Sequence, residues 1–115
     1  MFGFQKLEVY KKAKQFHIDC KDLLTRIKTT RNVIDQLTRS SSSVPYNIAE
    51  GSGKFSKPDR KNYFITARAS VFESVAILDG LDAEGKINKN EFAELNDTCD
   101  QMSRMLYRMI KNLEG

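Results

Sequence analysis

Toward the end of the chain, Phe92, Leu95, Cys99, Met102, Leu106, Met109 and Leu113 step by three and four residues without a miss. A strand turns successive side chains to opposite faces, whereas residues three and four apart share one face of a helix. So regular a ladder, flanked by Met105 and Ile110, reads as the seam of a coiled-coil-like helix. Such a seam is stable only against other apolar stripes of similar length. The rest of the chain must supply them.

Three more blocks do so. In the first, Leu7, Tyr10, Ala13, Phe16, Cys20, Leu23 and Ile27 make one stripe. On another face Lys14, Lys21 and Lys28 fall seven apart, with Lys11 one turn before Lys14. Thr29-Thr30-Arg31-Asn32 then interrupts with residues that favour turns and caps. The second block runs Ile34, Leu37, Ser41, Val44 and Ile48, with Pro45 inside it. Proline removes a backbone donor and crowds the preceding turn, so a kink is expected there, with Gly51 and Gly53 ending the helix. Ser56 with Asp59 has capping-box spacing and Pro58 suits a first turn. Phe64, Ala67, Val71, Val75, Leu78 and Leu81 mark the third helix, and Ala69, Phe72, Ala76 and Ile77 widen its apolar surface. A helix apolar on more than one side has more than one neighbour, which predicts that part of it faces another subunit. Glu84-Gly85-Lys86-Ile87 is a short turn, and Asn88 with Glu91 looks like a second capping box.

Short turns make antiparallel neighbours. The expectation is therefore an all-α, antiparallel up-down-up-down four-helix bundle with a proline-kinked second helix, one domain over residues 1–115. The fallback is a three-helix bundle with a partly open second segment, because Ser40-Ser41-Ser42-Ser43 is poor helix material.

Several function classes are excluded by what is missing. No apolar run approaches the roughly 20 residues of a membrane span, and the first residues lack the apolar core of a signal peptide. A cytoplasmic protein without membrane contact is expected. Cys20 and Cys99 fall on apolar stripes as core thiols. His17 is the only histidine, too few for a hydrolase triad, a ferritin-type di-iron site or a zinc site. Gly51-Ser52-Gly53-Lys54 follows a helix and lacks P-loop spacing. No catalytic residue, metal or cofactor is expected.

Net charge is +4, and through Lys28 seven cations face three carboxylates. Lys11, Lys14, Lys21 and Lys28, with Arg39 and Lys54, are candidate phosphate contacts, although a solvated helix face has the same composition. On the second helix Gln36, Ser40, Ser43, Asn47 and Glu50 form a polar stripe beside the apolar one, with Arg39 next to it. The stripe suits solvent, a buried polar network or an oligomer interface; Arg60, Arg68, Ser70 and Glu73 of the third helix could supply partners. Asn47 and Glu50 are expected to tie the second helix to the third.

Gln36-Leu37-Thr38-Arg39 followed by Ser43-Val44-Pro45-Tyr46-Asn47-Ile48-Ala49-Glu50-Gly51 resembles the signature of a bacterial four-helix-bundle family. Its proteins are encoded in intervening sequences of 23S ribosomal RNA genes. Phe4-Gln5-Lys6-Leu7-Glu8-Val9-Tyr10-Lys11-Lys12-Ala13 looks like the family's first-helix start. Arg60 through Phe64, then Ala67-Arg68-Ala69-Ser70-Val71-Phe72-Glu73, is similar to its third-helix motif. Ala69-Ser70 departs mildly from a frequent Gly-Ser, and Ser40-Ser41-Ser42 replaces a stretch that is often richer in alanine. The family is in turn similar to the accessory variability protein of diversity-generating retroelements, a basic pentameric bundle that serves a reverse transcriptase and its RNA. The resemblance implies a homo-oligomer, a pentamer first, and association with RNA. The expected function is a non-catalytic, oligomeric RNA- or nucleoprotein-binding accessory module; the alternative is a protein-interaction scaffold with no nucleic-acid role.

Overall fold

A computed structural model describes residues 1–114. A short 3-10 turn at Gly3–Lys6 leads into α1 (Glu8–Arg26), α2 (Arg31–Ser52), α3 (Lys57–Ala83) and α4 (Lys89–Asn112), with no strand among the described residues. Each of the last three helices starts on a polar cap. The hydroxyl of Thr30 accepts from the Val33 amide, that of Ser56 from the Asp59 amide, and the side-chain Oδ1 of Asn88 from the Asn90 and Glu91 amides. These bonds satisfy amides that a helix start otherwise leaves unpaired. Between α3 and α4 the chain reverses at Gly85, whose φ of 70° favours glycine.

Two boundaries differ from the sequence reading. First, α1 ends at Arg26, so Lys28 lies in the connection to α2. Second, α2 runs through Gly51 to Ser52, and Gly53 is its C-cap. Nor does α2 open at its serine run: it is continuous from Arg31 to Ser52, through Pro45. The serines hold their helix by donating one turn back, Ser40 to the Leu37 carbonyl, Ser41 to Thr38 and Ser42 to Arg39. Ser40 and Ser41 are also buried, so tertiary packing overrides weak propensity there.

The four helices make a bundle 43 Å long and 23 by 22 Å across. α1 packs on α2 and α4, α3 packs on the same two, and the α2–α3 contact is the most extensive. One core cluster draws on all four helices, with Phe16, Leu37, Ile48, Leu78 and Leu106 among its fully buried members. The α4 ladder is buried at Leu95, Cys99, Met102 and Leu106, while its ends at Phe92, Met109 and Leu113 are half-buried.

Candidate nucleic-acid interface and the α2–α3 seam

The polar stripe of α2 divides into a buried half and an exposed half. Ser70 donates to the Ser43 hydroxyl at 2.8 Å, and one turn away Ser40 and Ser74 share a hydrogen bond of 2.8 Å. Ser70 and Ser74 also donate back to the Thr66 and Ser70 carbonyls. The result is a hydroxyl ladder between two helices in which every member has a partner, the condition for a buried polar network to be tolerated. Ser74 is fully buried and was not singled out from the sequence; its place one turn after Ser70 was the available signal.

The exposed half behaves differently. Gln36, Arg39 and Glu50 lie at the surface. Glu50 makes no ion pair or side-chain hydrogen bond to α3 among the described residues, so it does not tie the helices as expected. Asn47 acts within α2, its amide donating to the Ser43 carbonyl at 2.8 Å and hydroxyl at 2.9 Å. Among the described residues its hydrogen-bonded link to α3 runs through Ser43. Arg60 Nε caps the Lys54 carbonyl at 2.7 Å, and Glu73 is exposed. Asn47→Ala is accordingly expected to cost about 1 kcal/mol or less, because Ser43 keeps its bond from Ser70 and alanine favours the helix. Chemical denaturation of the variant checks this, and a loss above about 2 kcal/mol would show that the amide has a larger role.

Two cationic surfaces flank the bundle. On α1, Lys11, Lys14 and Lys21 are exposed, as is Lys28 just beyond the helix and Arg39 on α2. None of these five enters an ion pair among the described residues. Lys14 Nζ lies 5.5 Å from the centre of the Tyr10 ring. Lys54, half-buried, is turned onto the Tyr63 ring at 5.1 Å. The rings of Phe55 and Tyr46 are also exposed.

The second surface was missed in the sequence because α4 is electrically balanced as a whole. Its carboxylates cluster in the first half and its cations, Lys89 apart, in the second. Arg104, Arg108 and Lys111 recur on one side of α4 and are joined across the groove by Arg68 of α3. Arg68 Nε donates to the Ser103 carbonyl at 3.0 Å, which holds its guanidinium 4.9 Å from the Phe72 ring centre and 5.5 Å from that of Tyr107. Phe72 and Tyr107 are both about half exposed (56% and 51%), so this is an aromatic platform built around a cation. Elsewhere Arg26 bridges α1 to Glu91 of α4, and its hydrogen bonds to Glu91 and then to Asp22 raise its pKa.

No group of three or more metal-ligating side chains exists among the described residues. His17 Nδ1 lies 2.7 Å from the Ser41 hydroxyl, a contact between α1 and α2. Burial, then the nearby Lys21 charge, lowers its pKa. Both cysteines are free and buried, and burial pushes the Cys99 thiol up to about 12. Such thiols are poor nucleophiles. No helix of the described residues is long and apolar enough to cross a membrane.

Comparison with known proteins bears on this geometry. A crystal structure at 1.70 Å of a protein of unknown function from the S23 ribosomal protein family, from Bacteroides thetaiotaomicron, superposes with a TM-score of 0.84. The two sequences are 22% identical, and the match covers 90% of this chain and 98% of the other. At that identity the likeness establishes the fold. No curated protein matches the chain. The family model described as 23S rRNA-intervening sequence protein matches residues 5–108, a span that takes in α1, the hydroxyl ladder and most of α4. This chain therefore belongs to the 23S rRNA-intervening sequence protein family.

Proposed function

We propose that the protein is a non-catalytic, homo-oligomeric RNA- or nucleoprotein-binding accessory module of the bacterial cytoplasm. The observation that supports this reading is the set of exposed cations on and beside α1, Lys11, Lys14, Lys21, Lys28 and Arg39, none of which enters an ion pair among the described residues. Contacts of this kind hold phosphates without reading sequence. A ring of five chains, the assembly implied by the likeness to the retroelement accessory protein, would repeat the same flank around its circumference. Weak contacts at each chain would then add through multivalency.

The test is a titration with single-stranded RNA at several salt concentrations, the mass in solution recorded alongside. Replacing Lys14, Lys21 and Lys28 together by alanine is expected to weaken binding and flatten the salt dependence by about 2 in log–log slope, at roughly 0.7 per lost phosphate contact. Helicity should be unchanged, since all three residues are exposed. Unchanged affinity and slope would remove this surface from the assignment. The competing reading, a protein-interaction scaffold, is favoured by the half-exposed Phe72 and Tyr107 beside the α3–α4 groove. Absence of RNA binding even at low salt would select it.

A further inference from the structure

The two ends of the bundle are finished differently. Where α1 and α3 end and α4 begins, Leu24, Leu81 and Ile87 are buried and close the core. At the other end the first turns of α1 and α3 and the last turns of α2 and α4 leave an open pocket of about 400 Å³. Phe4, Leu7, Phe64, Met109 and Leu113 supply its apolar lining, and all but Phe64 are only half-buried. One side of it is the 3-10 turn at Gly3 and Phe4. The Phe2 amide donates to Gln5 Oε1 at 2.8 Å, the Phe4 ring meets the Tyr10 ring edge-on at 4.9 Å, and the turn also packs on α2. That side is therefore held by tertiary contacts as well as by its own hydrogen bonds.

A single cation belongs to this lining. Arg60, singled out with the third-helix motif but outside the lysine flank, is half-buried there, and its Nε donates to the Lys54 carbonyl at 2.7 Å. A guanidinium is planar and carries five N–H donors, so anchoring Nε fixes the plane and leaves the donors of the two terminal nitrogens. Among the described residues no carboxylate pairs with them. Glu114, next to Leu113 in the chain, is already held by Lys61 at 2.8 Å and Lys111 at 3.2 Å. Asn112 adds an exposed amide to the same lining. A concave, mostly apolar site with a few convergent polar groups is the usual form of a small-molecule site, and the volume lies in the usual range.

We propose that this pocket binds a monocarboxylate with an apolar body, its carboxylate on Arg60 and Asn112 and its hydrocarbon against Phe64, Met109 and Leu113. The fork of a guanidinium matches the two oxygens of a carboxylate. One cation amid apolar side chains complements one negative charge on a hydrocarbon. A polyphosphate calls for several cations together, and an uncharged amphiphile leaves the fork without an acceptor. None of Lys11, Lys14, Lys21, Lys28 and Arg39 lines the pocket, so this ligand is independent of the RNA reading.

Octanoate is the probe, titrated into the full chain without RNA by calorimetry and by the signals of carbon-labelled methionine methyl groups. Binding should saturate and should shift the Met109 methyl, while that of Met102, fully buried in the core, stays in place. Octanol, which lacks the charge, and acetate, which lacks the chain, should each bind about tenfold more weakly or worse. Arg60→Gln should lower octanoate affinity about tenfold or more, and Arg60→Lys, which keeps the charge and loses the fork, by less. Asn112→Trp, which crowds the pocket from an exposed position, should abolish the Met109 shift while helicity is retained. Octanol binding as tightly as octanoate, an unmoved Met109 methyl, or unchanged affinity in Arg60→Gln would overturn the proposal. Should Arg60→Gln lose helicity, Asn112→Trp decides in its place, and a Met109 shift that persists there would overturn it.

Discussion

Phe16→Ala is expected to lower the free energy of unfolding by about 3–5 kcal/mol, the range for deleting a buried phenylalanine. Phe16 is 1% exposed and is the bulkiest side chain that α1 gives to the core. α1 packs on α2, α4 and the short 3-10 turn, with no contact to α3, and its contacts are less extensive than those of α2 or α3. The cavity left behind would lie between α1 and helices that α3 holds in place from the other side, which limits collapse. At this chain length about 4 °C of melting temperature follows each kcal/mol, so the midpoint should fall by about 12–20 °C. Domains of this size hold only about 5–15 kcal/mol in all. Phe55→Ala is the contrast: that ring is fully exposed, and its loss should move stability by less than about 0.5 kcal/mol. Thermal and urea unfolding of both variants check the pair. A Phe16 variant within about 1 kcal/mol of the parent would mean that α1 is not docked as described.

How much of this was legible beforehand varies by helix, for physical reasons. α1 and α4 each bury one stripe and wet the rest, so their periodicity was clear and their cores follow it at Ala13, Phe16, Cys20, Leu95, Cys99 and Met102. α3 read as broadly apolar. The structure separates its buried side, with Phe64, Val71 and Leu78, from an exposed one with Ile65 and Phe72, a division that a count of apolar residues cannot make. In α2 local propensity argued against a helix at the serine run. What it could not weigh was the reward for burying hydroxyls that already have partners, the Ser40–Ser74 and Ser43–Ser70 bonds.

The candidate sites were legible where charge was lopsided and hidden where it was balanced. The lysines of α1 stood out because few carboxylates accompany them. Arg104, Arg108 and Lys111 did not, since the acidic first half of α4 cancels them in any sum over the helix. Their spacing of four and three was the signal that remained, and Arg68 joins them only through the fold, reaching 35 residues along the chain to Ser103. The motif residues divide in the same way. Ser43 and Ser70 are structural by their mutual bond, whereas Gln36 and Glu50, which share the stripe by spacing, and Arg39 beside it face water.

Gly51 is where sequence reasoning had the right residue and the wrong cause. It was read as a helix terminator, yet it lies within α2 and is buried. In a helix interior alanine would gain about 1 kcal/mol over glycine. A Cβ at this position, however, would stand 2.8 Å from Phe64 Cε1 and 2.9 Å from Tyr63 Cβ. The Phe64 ring is buried and the Tyr63 Cβ rides on the α3 backbone, so neither can swing aside and the two helices must separate locally. Overpacking of this kind costs about 1–3 kcal/mol and occasionally more, which outweighs the helical gain. Gly51→Ala is therefore expected to destabilise by about 1–2 kcal/mol net, and Gly51→Leu by about 3 kcal/mol or more. Gly53, two residues on, supplies the opposite sign. Its φ of −89° is open to any residue and a Cβ there meets its nearest heavy atom, the Glu50 oxygen, at 3.6 Å. Gly53→Ala should stabilise by about 0.4–1 kcal/mol by narrowing the unfolded ensemble. Urea midpoints of the three variants decide the matter: a stabilised Gly51→Ala would mean that α2 and α3 do not approach as closely as the Gly51–Phe64 contact requires.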